Sequence, residues 1–171
     1  GGYTIHAKSN DPFAAYNCPA PLSDSERPSY LAIPEEITAL LDTEIQKIFE
    51  NKDLSNCGDR EKIEQIREYL LSNYKYSLDF SMRPEDKDPL ESFFRRRRAH
   101  CELFATAAVL IARRLGVPSR YVTGFLCFEQ SPAGGYYVSR IENAHAWAEA
   151  YLNDEEKWVT LEATPEDGIP R

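Results

Sequence analysis

Residues 98–124 read RAHCELFATAAVLIARRLGVPSRYVTG, and the change of period inside this stretch decides the fold class. From Cys101 to about Leu115, the apolar positions Leu103, Phe104, Ala107, Ala108, Leu110, Ile111 and Leu115 cover much of a helix's circumference. The spacing therefore predicts a helix in the centre of the fold. Gly116 suits the position just past such a helix, and Pro118 blocks its continuation. From Arg120 to Phe128 the chain turns β-branched and aromatic, which predicts a strand. A loop around Gly134-Gly135 interrupts it, and extended structure resumes over Tyr136–Ile141.

Downstream, Asn143, His145, Trp147, Glu149 and Tyr151 alternate with four alanines. Alanine and glutamate favour helices, but a two-residue period means a strand. Asn153–Glu156 reads as a turn and Lys157–Glu162 as the returning strand. A hairpin closing symmetrically on Asp154-Glu155 sets His145 opposite Thr164 and Trp147 opposite Glu162. His145 and Glu162 then share one face as diagonal neighbours, about 7–8 Å apart at Cα. A turn of odd length would send them to opposite faces.

Upstream, Pro12, Pro19, Pro21, Pro28 and Pro34 punctuate a segment without periodicity. Residues 1–33 read as an irregular N-terminal arm, and residues 34–171 as a single domain. Pro34 suits the first position of a helix whose buried face is Ile37, Leu40, Leu41, Ile45, Ile48 and Phe49. After a turn at Asn56–Asp59, a second helix carries Ile63, Ile66, Tyr69 and Leu70 and stops near Asn73. Tyr74–Met82 is compatible with extended structure, and Arg83–Asp88 is a charged loop. Asp88-Pro89-Leu90-Glu91 has the pattern of a capping box and opens a short helix through Phe94. Helices come first and antiparallel strands afterwards, so the fold class is α+β.

The chain has 171 residues, enough for one domain with a real core. Twenty basic against 28 acidic residues give a net charge of −8, which argues against a nucleic-acid partner or direct binding to an anionic membrane. The four cysteines form no Cys-x-x-Cys pair and the three histidines are scattered, so neither a structural metal nor a cofactor is expected. A single Cys18–Cys57 bridge is compatible with an oxidising compartment. The only methionine is Met82, and Gly1-Gly2 looks like a trimmed end, so a piece of a larger protein is expected.

Cys101 stands at the start of the central helix, where unpaired N–H groups and the helix dipole favour a thiolate. Residues 93–120 hold seven arginines against Glu102 alone, and this positive charge is expected to add to the same field. The types that nucleophilic catalysis needs are thus present: a thiol, a histidine on a strand, and a carboxylate beside that histidine. A small core cysteine and a solvated arginine face are the plainer reading of the same residues.

Three segments resemble the transglutaminase-like superfamily. Arg98–Gly124 resembles its nucleophile helix and L-G-V-P-x-R exit; NAHAWAEAYL (Asn143–Leu152) resembles its H-A-W-x-E strand; and WVTLEATP (Trp158–Pro165) resembles its W-x-x-x-D-x-T-P strand. The motif core covers about residues 90–165. The resemblance implies a papain-like α+β core, N-terminal helices with a central cysteine-bearing helix packed on a C-terminal antiparallel sheet. It implies Cys101 as nucleophile, His145 as base and Glu162 in the place of the usual aspartate, one methylene longer. Ala99 stands where a glycine is common. Tyr76 is a candidate oxyanion donor beside the Cys101 N–H, and Trp147 a candidate support residue, with packing as its plainer role.

The implied activity is thiol-dependent acyl transfer on a protein or peptide substrate, ending on an amine (transglutaminase) or on water (protease or amidase). A domain that keeps the fold as a binding or assembly module is the alternative. The lead-in from Tyr30 resembles a branch of large bacterial integral-membrane proteins with an extracytoplasmic domain of this type. That likeness implies a membrane-anchored parent, with membrane contact only through its other segments.

Overall fold

The computed structural model describes residues 21–50, 54–127, 129–132, 134 and 137–170. In chain order the helices are α1 (Arg27–Leu31), α2 (Thr38–Ile48), α3 (Asp59–Asn73), α4 (Pro89–Arg96) and α5 (Cys101–Arg114). The strands are β1 (Lys75–Tyr76), β2 (Arg98–Ala99), β3 (Ser119–Phe125), β4 (Glu129–Gln130), β5 (Tyr137–Val138), β6 (Ala144–Leu152) and β7 (Lys157–Leu161). The class is α+β, as the order of periods predicts.

Helix α5 is the middle layer. It packs on β3 and β6 on one side and against α2, α3 and α4 on the other. That double contact explains its nearly all-round apolar character: Phe104, Ala107, Ala108, Ile111 and Ala112 are fully buried. The sheet side of the contact is alanine-rich, with Ala148 and Ala150 of β6 beside Leu152, Val159 and Leu161 in the same core. Small residues facing each other let helix and strand approach closely. On the opposite side Leu41, Ile63, Ile66, Leu70 and Phe93 close the core, with Phe93 edge-on to Phe104 at 5.0 Å between centroids.

Local chemistry sets the boundaries. Asp88 caps α4, its Oδ1 accepting the N–H of Leu90 at 2.8 Å and of Glu91 at 3.0 Å, with Pro89 at the first position. Arg97, at φ 53°, ends α4 and turns the chain into β2. Gly116, at φ 80°, follows α5. Pro34 does not open the helix directly: it precedes a 3-10 turn, Glu35–Ile37, and α2 begins at Thr38. Within the stretch expected as an arm, residues 21–33 carry α1, whose Tyr30 lies edge-on to Trp158 at 5.1 Å. Residues 1–20, and with them Cys18 and the possible Cys18–Cys57 bridge, lie outside the described residues.

The three-stranded sheet has the order β3-β6-β7, antiparallel throughout. The β6–β7 hairpin pairs Leu152 with Lys157 and Ala148 with Leu161, the register of a symmetric turn. Of the strand expected over Tyr136–Ile141, Tyr136 lies outside the described residues; Tyr137–Val138 form β5, which among the described residues pairs with β4 alone. Extended structure after Tyr74 is reduced to β1, which lies parallel to β2 and sets Tyr76 beside Ala99.

Candidate functional site

The first residue of α5 is Cys101, a free, partly buried thiol. Its preceding residue, His100, places no side-chain cap on the helix, so the first-turn N–H groups keep their donor capacity toward the thiol's surroundings. Two residues upstream, Ala99 is tied to Tyr76 through β1, where the N–H of Ser77 donates to the Ala99 carbonyl at 2.8 Å. The thiol is therefore fixed from behind by a helix and from the side by a short parallel ladder.

Register brings the histidine and the carboxylate together. His145 Nε2 and Glu162 Oε2 are 2.8 Å apart, and both residues are buried. The second oxygen of Glu162 accepts the backbone N–H of Thr164 at 3.0 Å, which holds the carboxylate in one orientation. The extra methylene of Glu162 is thus accommodated. With Nε2 engaged by a carboxylate, Nε2 carries a proton and Nδ1 is the nitrogen left to exchange one.

Nδ1 is buried and makes no hydrogen bond of ordinary geometry, yet the imidazole lies close enough to act on the Cys101 thiol. Burial by itself pushes that thiol up. The His145 side chain and the backbone N–H of Ala146 outweigh burial and bring it below its ordinary 9.0. Burial also works against a charged His145, and Cys101 and Glu162 overcome it, raising the imidazole to about 9. Each group therefore favours the charged form of the other.

The part played by Ala146 follows from strand geometry. The N–H of Leu126 donates to the carbonyl of Asn143 at 2.9 Å, and that of Tyr151 to the carbonyl of Pro118 at 2.7 Å. Odd-numbered residues of β6 are thus the hydrogen-bonded partners of the β3 side, and even-numbered N–H groups point to the other edge. There β7 pairs only from Ala148 onward. The N–H of Ala146 is left for the thiol. Sequence reading missed this donor, although the parity of the alternation and the shorter β7 hold the signal for it.

Aromatic rings border the pair. Trp147 stacks on His145, with centroids 6.2 Å apart and planes at 19°. Its ring lies so close over Gly124 that a Cβ there would come within 2.8 Å of it. Tyr76 is half-buried near Cys101: burial first, then the charges of Cys101 and Asp167, raise its phenol above 10.0. Tyr121 is 41% exposed, and its phenol is raised by burial and then by Glu102 and Cys101. Its place on β3 over the start of α5 makes it part of the surroundings of the thiol.

The arginine run does something other than expected. Arg95 and Arg96 both pair with Asp86, and Arg96 also donates to the Ser81 carbonyl at 2.9 Å. Arg98 faces Asp79 at 3.6 Å, Arg114 faces Asp42, and Arg120 pairs with Glu149 at 2.6 Å beneath Trp158. These guanidinium groups are compensated where they stand, and the thiol is held down by His145 and Ala146. Glu149 is neither solvated nor aimed at His145; it is the buried half of the Arg120 pair. Among the described residues, no group of three or more His, Cys, Asp or Glu side chains is arranged to hold a metal ion.

Comparison with known proteins adds an independent result. The profile of the family described as the transglutaminase-like superfamily matches residues 46–163. YebA of Bacillus subtilis (strain 168) is 32% identical over 142 residues, which cover 79% of this chain and 19% of that protein. A protein-glutamine gamma-glutamyltransferase of Pseudomonas aeruginosa is 35% identical over 78 residues, 45% of this chain and 12% of that protein. The chain spans less than a fifth of the length of either relative. Two crystal structures of the periplasmic domain of TgpA from Pseudomonas aeruginosa, one bound to ethylmercury, superpose with TM-scores of 0.72 and 0.62 at 20% and 21% identity. They cover 88% and 83% of this chain, and it covers 53% and 48% of theirs. That likeness is one of fold.

Proposed function

The chain belongs to the transglutaminase-like superfamily, and on that premise we propose that it transfers acyl groups from a protein or peptide carboxamide or amide through Cys101, His145 and Glu162. The observation that carries this reading is the orientation of His145, with Nε2 held by Glu162 at 2.8 Å, Nδ1 left without a hydrogen-bond partner, and the ring within reach of Cys101.

In the proposed sequence, the Cys101 proton passes to His145 Nδ1 and the thiolate adds to the substrate carbonyl carbon. The carbonyl π electrons move to oxygen, which is met by the Cys101 backbone N–H and the Tyr76 phenol. Collapse of this adduct breaks the C–N bond, and the departing ammonia or amine takes the proton back from His145. The thioester then gives its acyl group to a primary amine or to water, while His145 takes the proton of the incoming nucleophile and Cys101 leaves as thiolate. Whichever nucleophile reaches the thioester decides between transglutaminase and hydrolase.

The rival reading, a fold retained for binding or assembly, would be favoured by a Cys101 sulfur well beyond reach of His145; the nearness of the two side chains supports the enzyme. We also place the domain outside the cytoplasm, as part of a larger membrane-anchored protein. This is supported by the likeness to a periplasmic domain and by the small share of its relatives that the chain spans. Among the described residues no helix is long and apolar enough to cross a membrane, and we assign membrane contact to other segments of such a parent.

The test is incorporation of a dansylated primary amine into dimethylcasein, with ammonia release followed in parallel. Cys101-dependent incorporation marks a transferase, and Cys101-dependent ammonia release without incorporation marks a hydrolase. Undiminished turnover by Cys101→Ala would refute both.

A further inference from the structure

The last described turn of the chain, Glu166–Gly168, folds back over Tyr76. Gly168 is buried, and a Cβ placed on it would fall 2.1 Å from Cδ2 of Tyr76, 2.3 Å from Cγ and 2.6 Å from Cε2. No side chain of any kind fits in that space. The backbone of Gly168 lies outside the left-handed region, so nothing in its own conformation calls for glycine. The requirement comes from the ring alone. Tyr76 is tied on its other side to Ala99, two residues before the nucleophile. The ring is therefore held between the β1–β2 ladder and this turn.

We propose that Gly168 is a positioning residue for acyl transfer: by carrying no side chain it seats the Tyr76 ring against the Glu166–Gly168 turn and so fixes the phenol hydroxyl beside Cys101 as an oxyanion donor. The inference rests on the catalytic reading above and deepens it. Burial, Cys101 and Asp167 all act to keep that phenol protonated, the state in which it can donate. The neighbouring turn thus supplies both the seat for the ring and, in Asp167, one of the charges that hold the proton on.

Two reagents separate this role from a general effect on the thiol. Acylation of Cys101 by 4-nitrophenyl acetate passes through an oxyanion, whereas alkylation by iodoacetamide does not. Tyr76→Phe is expected to slow acylation by about 10²-fold, the usual order for loss of one oxyanion donor. Gly168→Ala, which displaces the ring, is expected to slow acylation by a similar factor. Both variants should leave alkylation within about twofold of wild type. The double variant should be no slower than Tyr76→Phe alone, because both changes remove the same interaction. If Gly168→Ala does not fold, a chain ending at Pro165 withdraws the seat instead of obstructing it, and the same selective loss is expected. Equal slowing of acylation and alkylation, no slowing of either, or additive losses in the double variant overturns the positioning role. Wild-type protein that shows no Cys101-dependent acylation overturns the catalytic reading itself, an outcome visible before any Gly168 variant is made.

Discussion

His145 serves two neighbours with its two nitrogens, and the difference between them sets the chemistry. Nε2 faces a carboxylate that is itself held by the Thr164 N–H, so the ring cannot turn without breaking a buried charge-assisted bond. Nδ1 is buried without a hydrogen-bond partner, on a ring within reach of the thiol. Glu162→Gln keeps a side chain of the same length but removes the charge that stabilises the imidazolium. Turnover is expected to fall on the order of 10³-fold with little change in KM, as measured by steady-state kinetics. Glu162→Asp restores the residue common in the family yet draws the carboxylate back by one methylene. Because the present contact is already 2.8 Å, the shorter side chain is expected to lose about 10²-fold in turnover. Equal or higher activity in Glu162→Asp would show that the longer side chain is not matched to this site.

At the scale of elements, the site is where a helix start meets an open strand edge. Helix α4 and strand β2 bring the chain to Cys101, and α4 depends on its Asp88 cap. Asp88→Ala is expected to cost about 1 kcal/mol, read from the urea midpoint. The contact of α5 with β6 depends on small residues on the strand, so Ala148→Leu is expected to destabilise by about 1–3 kcal/mol through overpacking. Both elements were legible in the sequence, because a capping box and a two-residue period are local signals. The hairpin register was legible for the same reason: a symmetric turn leaves one way to keep His145 and Glu162 on one face. The β1–β2 ladder was not legible, because parallel pairing of two residues leaves no periodicity. Nor was the closeness of Gly168 to Tyr76, which joins positions 92 residues apart and depends on the path of the whole chain.

At the scale of the described molecule, five of the seven arginines around Cys101 are compensated by carboxylates where they stand and do not pool into one field. The sequence makes the arginines near Cys101 look like one field, because a linear count cannot show that Asp86, Asp79 and Asp42 fold back onto them. Asp86 is a measure of that arrangement. The Arg83 N–H, donating at 2.7 Å, is the main cause that lowers its carboxyl; Ser92 and Arg96 add to this, burial opposes it, and the result is about 2 against an ordinary 3.8. A carboxyl lowered by folding contributes stability above its unfolded value, and that contribution is lost as pH falls through about 2. Thermal melts between pH 5 and pH 2 should therefore show a shallower acid loss for Asp86→Asn than for wild type. The lowered Cys101 thiol is likewise a property of the assembled fold, since α5 supplies Cys101 while β6 supplies both His145 and the Ala146 N–H. The most direct test is the rate of Cys101 alkylation by iodoacetamide across pH, in wild type and in His145→Ala. The wild-type profile should have its thiolate step below the ordinary 9.0 and change again near 9, as His145 loses its proton. In His145→Ala only the Ala146 N–H is left to oppose burial, so the step should move up toward or above the ordinary 9.0, slowing alkylation at neutral pH by about tenfold for each unit moved. Coincident profiles for the two proteins would contradict the coupling of Cys101 to His145 on which the account stands.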